Sequence, residues 1–289
     1  MDEKPIVEPI EVQPLLSNPK PGDRVKRHRL STRLWHWTNA TALLVLLMSG
    51  LMIFNAHPRL YWGQKGAQYD RAWLEIGGNA KRGFVRVGPV ELPTTGVLGQ
   101  QTLKDGTIDN RAFPAWATLP SAYALSVARN WHFAFAWVLA VGLLLFMSVS
   151  LFNGHIRRDL HIRREQWRPS HIWHDIQDHI RLRFPTGAAA LDYNILQKFS
   201  YIAVIFILIP LMIFSGLTLS PGMNAAWPWL LDLFGGRQSA RSVHFICASL
   251  LLLFFAVHMV MVLLAGPLNE VRSIITGWYR LPGKAGETS

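Results

Sequence analysis

The sequence predicts an all-α integral membrane protein, built as a four-helix bundle, and two observations carry this prediction. Of the 289 residues, 50% are hydrophobic and only 16% are charged, whereas soluble domains carry about 25% charged residues. The apolar residues are concentrated in four long uncharged stretches, and about 20 such residues in a helix cross the hydrocarbon core of a bilayer. We therefore expect the bundle to lie within a membrane.

The four predicted spans belong to one domain that covers residues 25–282. They lie at about residues 34–54, 131–152, 199–219 and 243–268. Pro210 lies inside the third span and is expected to kink it, because proline removes a backbone hydrogen bond. Residues 1–24 are acidic and rich in proline and are predicted to form a disordered arm, while residues 283–289 form a short tail.

The basic residues predict how the spans are oriented. The net charge is +11, and the Lys and Arg residues are clustered before the first span and between residues 154 and 198. Such clusters favour the cytoplasmic side of a bacterial inner membrane, and nothing in this pattern favours nucleic acid. Four spans then place both termini in the cytoplasm. The loop of residues 55–129 and the loop of residues 221–238 would face outward.

The segments between and after the spans are less informative. The Gly pairs at 77–78 and 235–236 lie in the outward loops and predict turns. Residues 266–282 resemble a short amphipathic helix at the inner surface, where Trp278 and Tyr279 would suit the membrane interface. Cys247 is the only cysteine, so an intrachain disulfide is excluded, and its apolar surroundings favour a packing role.

Four histidines lie in or at the edges of the spans, where ionisable groups are costly and usually functional. His244 and His258 share the fourth span and are fourteen residues apart. That distance is about 21 Å along a helix and close to four full turns, so both side chains project from one face. By depth, His132 pairs with His244, and His36 pairs with His258. His36 opens its span, so the first helix is expected to begin earlier or to tilt.

Two bis-histidine sites at two depths are what a pair of b-type hemes across a membrane requires, since imidazole is a common axial ligand of heme iron. We therefore predict that His36, His132, His244 and His258 are axial ligands of two heme b groups. No C-x-x-C-H motif is present for covalent attachment. Alternatively, each histidine is a hydrogen-bonded residue of the bundle. A zinc site is disfavoured, because the two pairs lie too far apart in depth.

Smaller patterns accompany these histidines. Arg33, Arg129 and Arg241 each lie three residues before a candidate ligand, on the same helix face, and are predicted to bind heme propionates; the alternative is that they mark helix ends. Gly50 lies fourteen residues after His36, where a flat macrocycle would need a small residue beside the helix, although glycine also serves helix packing.

The histidines of the inner loop carry a weaker signal. His171, His174 and His179, with Asp175 and Asp178, and His155 and His161 lie among arginines. These residues are solvated or, alternatively, take part in binding a quinone headgroup or in proton uptake.

Four stretches resemble a known family. They are RHRLSTRLWHW at residues 27–37, SGL at 49–51, RNWHF at 129–133, and SGLTLSPGMNAAWPWLLDLFGGRQSARSVHF at 215–245 with the following AVHMVMVLLAGPLNE. They are similar to cytochrome b subunits of formate dehydrogenase and nickel-iron hydrogenase, and above all to thiosulfate reductase cytochrome b subunits. The resemblance implies two b hemes held by the four histidines, a quinone site near the inner heme, and a partner outside that contains molybdenum or nickel. The long outer loop departs from the shorter loop of the formate enzyme; a periplasmic molybdopterin oxidoreductase is the expected partner.

The predicted function is therefore that of an electron-transfer subunit in a respiratory chain, which is not a complete enzyme. It would anchor an oxidoreductase to the membrane and pass electrons between that partner and the quinone pool. A transporter would need a continuous polar path, and the third span has almost no polar residues. A heme-based sensor or assembly factor would need a signalling domain, for which neither terminus is long enough. The sequence does not give the direction of electron flow, the terminal substrate, the quinone type, the heme potentials or the oligomeric state.

Overall fold

Four long apolar helices dominate the fold. The computed structural model describes residues 20, 22–67, 69–79, 81–152 and 195–281, together with residues 168, 170, 173, 175–177 and 181. The helices in chain order are α1 (Leu30–Asn55), α2 (Leu125–Phe152), α3 (Ile195–Leu219), α4 (Pro221–Ala226), α5 (Pro228–Leu233), α6 (Arg237–Ala265) and α7 (Pro267–Thr276). Of these, α1, α2, α3 and α6 are long and apolar enough to cross a membrane.

The long helices begin four to six residues before the predicted spans. The extra residues are polar or interfacial, because a helix continues into the headgroup region after its apolar stretch ends. The earlier start of α1 at Leu30 was expected from the position of His36. At its other end α6 stops at Ala265, three residues before the predicted limit, because Gly266 is left-handed (φ +106°) and Pro267 follows it.

The long helices form two closely packed pairs, α1 with α2 and α3 with α6. A buried apolar cluster joins all four at the middle of the bundle; it consists of Ala42, Leu46, Leu139, Leu143, Val204, Ile209 and Leu251. Many large apolar side chains outside this cluster are exposed, as expected for helices that face lipid. Cys247 is buried in α6.

The irregularity expected at Pro210 takes the form of a π-helical turn. Val204–Leu208 is π-helical, and the backbone N–H of Ile209 donates to the carbonyl of Val204. Since Pro210 cannot donate a backbone hydrogen bond, the wider turn directly before it accommodates the lost partner.

The loop of residues 55–129 contains β-structure that the hydrophobic pattern does not predict. Strands β2 (Arg59–Leu60), β3 (Leu74–Gly78), β4 (Gly83–Val87) and β5 (Val90–Pro93) form an antiparallel sheet, and β6 (Gln101–Thr102) pairs with β7 (Ile108–Asp109). The pair at residues 77–78 therefore ends a strand, contrary to the predicted turn. Gly235 and Gly236 do form a turn, with φ of +70° and +117°.

Opposite charges face one another across this sheet. Arg59 lies opposite Glu75, Glu75 opposite Arg86, and Arg86 opposite Glu91. Their ion pairs are 2.6–2.7 Å long. The sheet rests on the bundle through Phe54, whose ring centroid lies 4.8 Å from that of Phe245 on α6. We call the end of the bundle that carries this sheet the loop end.

The opposite end, the terminus end, consists of strand β1 (Arg24–Lys26), α7 and strand β8 (Trp278–Arg280). β1 and β8 pair in antiparallel register. Residues 22–24, assigned above to the N-terminal arm, thus belong to an ordered ribbon, in which the backbone N–H of Gly22 donates to Leu281. The amphipathic helix is present as α7, but Tyr279 lies in a strand and is buried, whereas the interface position predicted for it would be exposed.

Candidate functional site

The four span histidines form two pairs in the structure, and these are the pairs that their depths predict. At the loop end, His132 on α2 faces His244 on α6, with ring centroids 6.2 Å apart. At the terminus end, His36 on α1 faces His258 on α6, with ring centroids 6.5 Å apart. His244 and His258, which both lie on α6, project toward the same side because fourteen residues complete nearly four turns.

The ring separations fit one metal ion between the two imidazoles of each pair. A metal–imidazole bond is about 2 Å long, and a ring nitrogen lies about 1 Å from its ring centroid, so two axial imidazoles place their centroids about 6 Å apart. A direct hydrogen bond between the two imidazoles would instead bring their centroids closer together. The donor set, two imidazoles on opposing helices, would suit the iron of a b-type heme.

Serine hydroxyls orient both imidazoles at the loop end. Ser49 on α1 lies 3.0 Å from Nδ1 of His132, and Ser215 on α3 lies 2.9 Å from Nδ1 of His244. Each hydroxyl also donates to a carbonyl of its own helix, Val45 or Leu211. The hydroxyl oxygen therefore accepts from the imidazole, so Nδ1 carries the proton and Nε2 is free to bind a metal.

A glycine follows each of these serines and allows the imidazole to approach the helix. A Cβ atom at Gly50 would lie 3.2 Å from Cε1 of His132, and one at Gly216 would lie 3.2 Å from Cε1 of His244. Gly50 was predicted to make room for a macrocycle. The structure shows that it makes room for the imidazole of His132.

These serines and Gly216 were missed from the sequence, although an internal repeat signals them. The tripeptide SGL occurs at residues 49–51 and again at 215–217, and the pattern A-R-x-x-H-F occurs at 128–133 and again at 240–245. In both halves, the first motif contacts the histidine of the second. The first residue of each second motif, Ala128 or Ala240, is fully buried. The helix pair α1–α2 thus repeats as α3–α6.

Comparison with known proteins places the chain in a family. Residues 27–277 match the family described as prokaryotic cytochrome b561. The chain belongs to this family. It is therefore a cytochrome b561-type membrane heme protein, and heme b is the cofactor of the family. The match supports the expected cytochrome b assignment at this coarser level, and not the narrower groups of formate dehydrogenase or thiosulfate reductase subunits.

One curated relative is similar over most of both chains. It is named "Putative protein-methionine-sulfoxide reductase subunit YedZ1", from Azospira oryzae, and is 28% identical over 235 residues, which are 80% of this chain and 87% of the relative. No solved structure matches the chain.

The three arginines predicted to bind propionates lie in different surroundings in this cytochrome b561. Arg241 donates from its two terminal nitrogens to the carbonyls of Arg59 and His57, and so fastens α6 to the loop. Arg33 donates to the carbonyl of Ile275. Arg129 is exposed and lies over the ring of Phe133. Arg129 thus has the guanidinium that is least engaged by backbone carbonyls.

Charged and polar groups surround the terminus-end pair. Arg27 forms an ion pair with Glu270 at 3.3 Å and lies 4.4 Å above the ring of Tyr279. Burial, with Arg27, His36 and Arg33 nearby, lowers the pKa of His28 to about 4, so this side chain is neutral at pH 7. Nδ1 of His36 is buried and has no hydrogen-bond partner among the described residues.

The weaker candidates of the inner loop cannot be placed. His155, His161, His171, His174, His179 and Asp178 lie outside the described residues. Asp175 is described, and its carboxylate accepts a 3.2 Å hydrogen bond from the backbone of Ile195 at the start of α3. Asp175 therefore has a role in capping α3.

Proposed function

We propose that this protein is a diheme b-type cytochrome that anchors an oxidoreductase to the membrane and exchanges electrons between it and the quinone pool. Two histidine pairs carry the proposal. Their ring centroids are 6.2 Å and 6.5 Å apart, which leaves room for a metal ion in each pair, and the pairs lie toward opposite ends of α6. His244 and His258 are about 21 Å apart along the helix. Two such sites form a path for electrons across most of a bilayer.

The chain's own residues hold and insulate the two sites in this proposal. Heme, when bound, supplies a one-electron couple. The four imidazoles would hold it, and Ser49 and Ser215 fix the tautomer of the loop-end pair. The apolar cluster around Leu46, Leu139 and Leu251 lies between the pairs and excludes water and ions from the path.

We assign quinone exchange to the terminus end, and we propose that this end faces the cytoplasmic side of a bacterial inner membrane. The basic residues before α1 support this orientation, since such residues are enriched on the cytoplasmic side. The ion pair of Arg27 and Glu270 and the neutral His28 would supply polar groups near the surface at this end.

We assign the partner to the loop end, which would face the periplasm. The loop opens a cleft of about 960 Å³, and His57, Arg59, Arg71 and Arg86 are among the residues that line it. Arg241 connects this cleft to the helix of His244 through its bonds to His57 and Arg59. A partner seated here would thus lie close to the loop-end site.

The name of the similar protein favours a protein-methionine-sulfoxide reductase as the partner. Dependence of that partner on a molybdopterin cofactor rests on the family resemblance of the sequence motifs. Both are part of the proposal.

A heme assay combined with quinol reduction tests the proposed function. The purified, fully loaded protein should give two b hemes per chain in a pyridine hemochrome assay, and a quinol should reduce both. One heme per chain would refute the diheme assignment. Two hemes that no quinol reduces would refute the link to the quinone pool while leaving the heme sites intact.

A further inference from the structure

The ribbon of β1 and β8 carries an unusual arrangement of charge. Arg24 lies directly opposite Arg280, and Lys26 lies opposite Trp278. All four side chains are exposed and share one face, since side chains alternate along a strand. Side chains directly opposite each other have Cβ atoms about 5 Å apart, and like charges there destabilise the pair. An anion between the two guanidinium groups would remove this repulsion.

The residues that the structure describes do not provide that anion. Among the described residues, no carboxylate forms an ion pair with Arg24, Lys26 or Arg280. Two acids of the terminus end are engaged elsewhere. Asp23 accepts a hydrogen bond from the backbone of Lys20, and Glu270 pairs with Arg27.

The ribbon is held rigidly in this position. On its other face, Val25, Tyr279 and Leu281 pack together. Asn269 on α7 donates to the carbonyl of Arg280 and accepts from its N–H. The cationic side chains therefore stand on a fixed platform, so little conformational entropy of the backbone is lost when a ligand binds.

The ribbon also lies next to the ends of two spanning helices, at the level of the lipid headgroups. α7 begins two residues after the spanning helix α6 ends, and β1 ends four residues before α1 begins. The outward face of α7 is apolar, with Leu268 88%, Val271 42% and Ile275 49% exposed. An apolar helix face beside a spanning helix, with Trp278 and cations next to it, is typical of an element at the membrane surface.

We propose that the outward face of the β1–β8 ribbon binds the phosphate group of an anionic phospholipid, with Arg24 and Arg280 as the two arms of the site and Lys26 beside them. The acyl chains of that lipid would extend along the apolar face of α7. Guanidinium groups suit phosphate because they donate paired hydrogen bonds in a fixed geometry. This inference does not depend on the proposed electron transfer.

Native mass spectrometry of the intact, heme-loaded chain tests this site. The chain is purified in neutral detergent and titrated with phosphatidylglycerol, and phosphatidylcholine serves as the neutral lipid. The wild type should retain at least one phosphatidylglycerol tightly. The variant Arg24→Gln/Arg280→Gln should bind it about twenty-five-fold more weakly, since each cation near a membrane surface contributes about fivefold.

Matched variants separate the site from general charge. Lys81→Gln/Lys104→Gln removes two exposed cations from the loop end and should bind the lipid as the wild type does. Arg24→Lys/Arg280→Lys keeps the charge and should retain most of the binding, with an unchanged heme spectrum as evidence of folding. Equal losses in the Arg24/Arg280 and Lys81/Lys104 glutamine variants, or no loss in either, would overturn the proposal. So would competition by inorganic phosphate at the lipid's own concentration, which would show a simple anion site.

Discussion

At the scale of single residues, two serine hydroxyls decide which imidazole nitrogen at the loop end is free. Ser49 and Ser215 accept from Nδ1 of His132 and His244, so each Nε2 is left without that proton and can bind a metal. A ligand that is held in this way is pre-oriented and slightly more basic, and loss of such a partner typically costs about 10- to 100-fold in metal affinity.

We therefore expect Ser49→Ala and Ser215→Ala to weaken heme binding at the loop end by about that factor and to leave the terminus end unchanged. Transfer of heme to an excess of apomyoglobin, followed by absorbance, measures the loss. Ser148→Ala is the matched control, because Ser148 also donates to a carbonyl four residues before it but contacts no histidine in the described part of the chain. Equal heme loss in all three variants would contradict the assigned role.

Two glycines set how closely the imidazoles approach their helices. Gly50→Ala and Gly216→Ala each place a methyl group 3.2 Å from Cε1 of an imidazole, so the ring must shift by a few tenths of an ångström. Overpacking of this kind costs about 1–3 kcal/mol of stability. We expect a lower thermal midpoint and a changed spectrum of the loop-end heme, measured by absorbance during heating. Gly222→Ala on α4, which meets nothing within 4 Å, should change neither.

At the scale of elements, the ion pair of Arg27 and Glu270 joins the ribbon to α7 beside the terminus-end histidines. Glu270 lies within electrostatic range of His258. The side chains of Arg27 and Glu270 are largely buried, with exposures of 14% and 22%. Limited exposure reduces screening by water and salt, so each charge should influence a redox centre nearby.

Opposite shifts in reduction potential would follow from removing the two charges. A carboxylate favours the oxidised, more positive iron, so Glu270→Gln should raise the potential of the terminus-end heme, and Arg27→Gln should lower it. A potentiometric titration that resolves the two components measures both shifts. Shifts in the same direction would indicate a purely structural effect of breaking the pair. Glu91→Gln, which breaks an ion pair at the loop end, should leave the terminus-end potential unchanged.

The long helices could be predicted from hydropathy, but the loop sheet could not. A spanning helix is specified by about 20 apolar residues in a row, a signal that needs no tertiary context. The strands of the loop have only two to five residues, and the alternation of apolar and charged side chains at residues 85–87 and 90–92 is too short to distinguish them from irregular loop. The intervening Gly88, with φ +57°, and Pro89 signal a hairpin, yet the ladder of ion pairs emerges only when the strands are paired.

At the scale of the whole molecule, the two histidine pairs would divide the proposed electron path across the membrane into two steps. Depth along the helices was enough to predict which histidines meet, because helix rise and direction are fixed by chain topology. The tautomers and the close approach of the rings were not predictable from depth. They depend on Ser49, Gly50, Ser215 and Gly216, which come from helices other than those of the imidazoles they contact.

Replacing one histidine should therefore divide the function cleanly. His132→Leu and His244→Leu should both damage the loop-end heme, so quinol would still reduce the other heme but the electron would stop there. His36→Leu and His258→Leu should damage the terminus-end heme, so the external partner would reduce the loop-end heme while quinone is cut off. Stopped-flow absorbance with quinol or with the reduced partner measures each step.

The grouping of these variants is the decisive result. Each variant must first be shown to insert into the membrane and to retain one heme, because loss of heme could collapse the bundle. If His36→Leu and His244→Leu removed the same spectral component and His258→Leu removed the other, the pairing would be wrong.

The repeat of SGL and A-R-x-x-H-F implies an approximate twofold symmetry axis, which relates α1 to α3 and α2 to α6. His132 and His244 are symmetry mates, so the loop-end site lies on the axis and can occur only once. His36 and His258 are not mates, so their site lies off the axis and should have a copy.

The residues at the copy of the His36–His258 site are Phe146 and Ile202, or Tyr201 if the extra residue of the π turn is counted. Phe146 and Ile202 have no group that binds iron, and Tyr201 would have no histidine opposite it, because its counterpart Phe146 stacks on Trp35 at 5.3 Å. In the proposed function, the asymmetry of this otherwise duplicated bundle leaves the electron a single terminus-end exit where the symmetry would have allowed two.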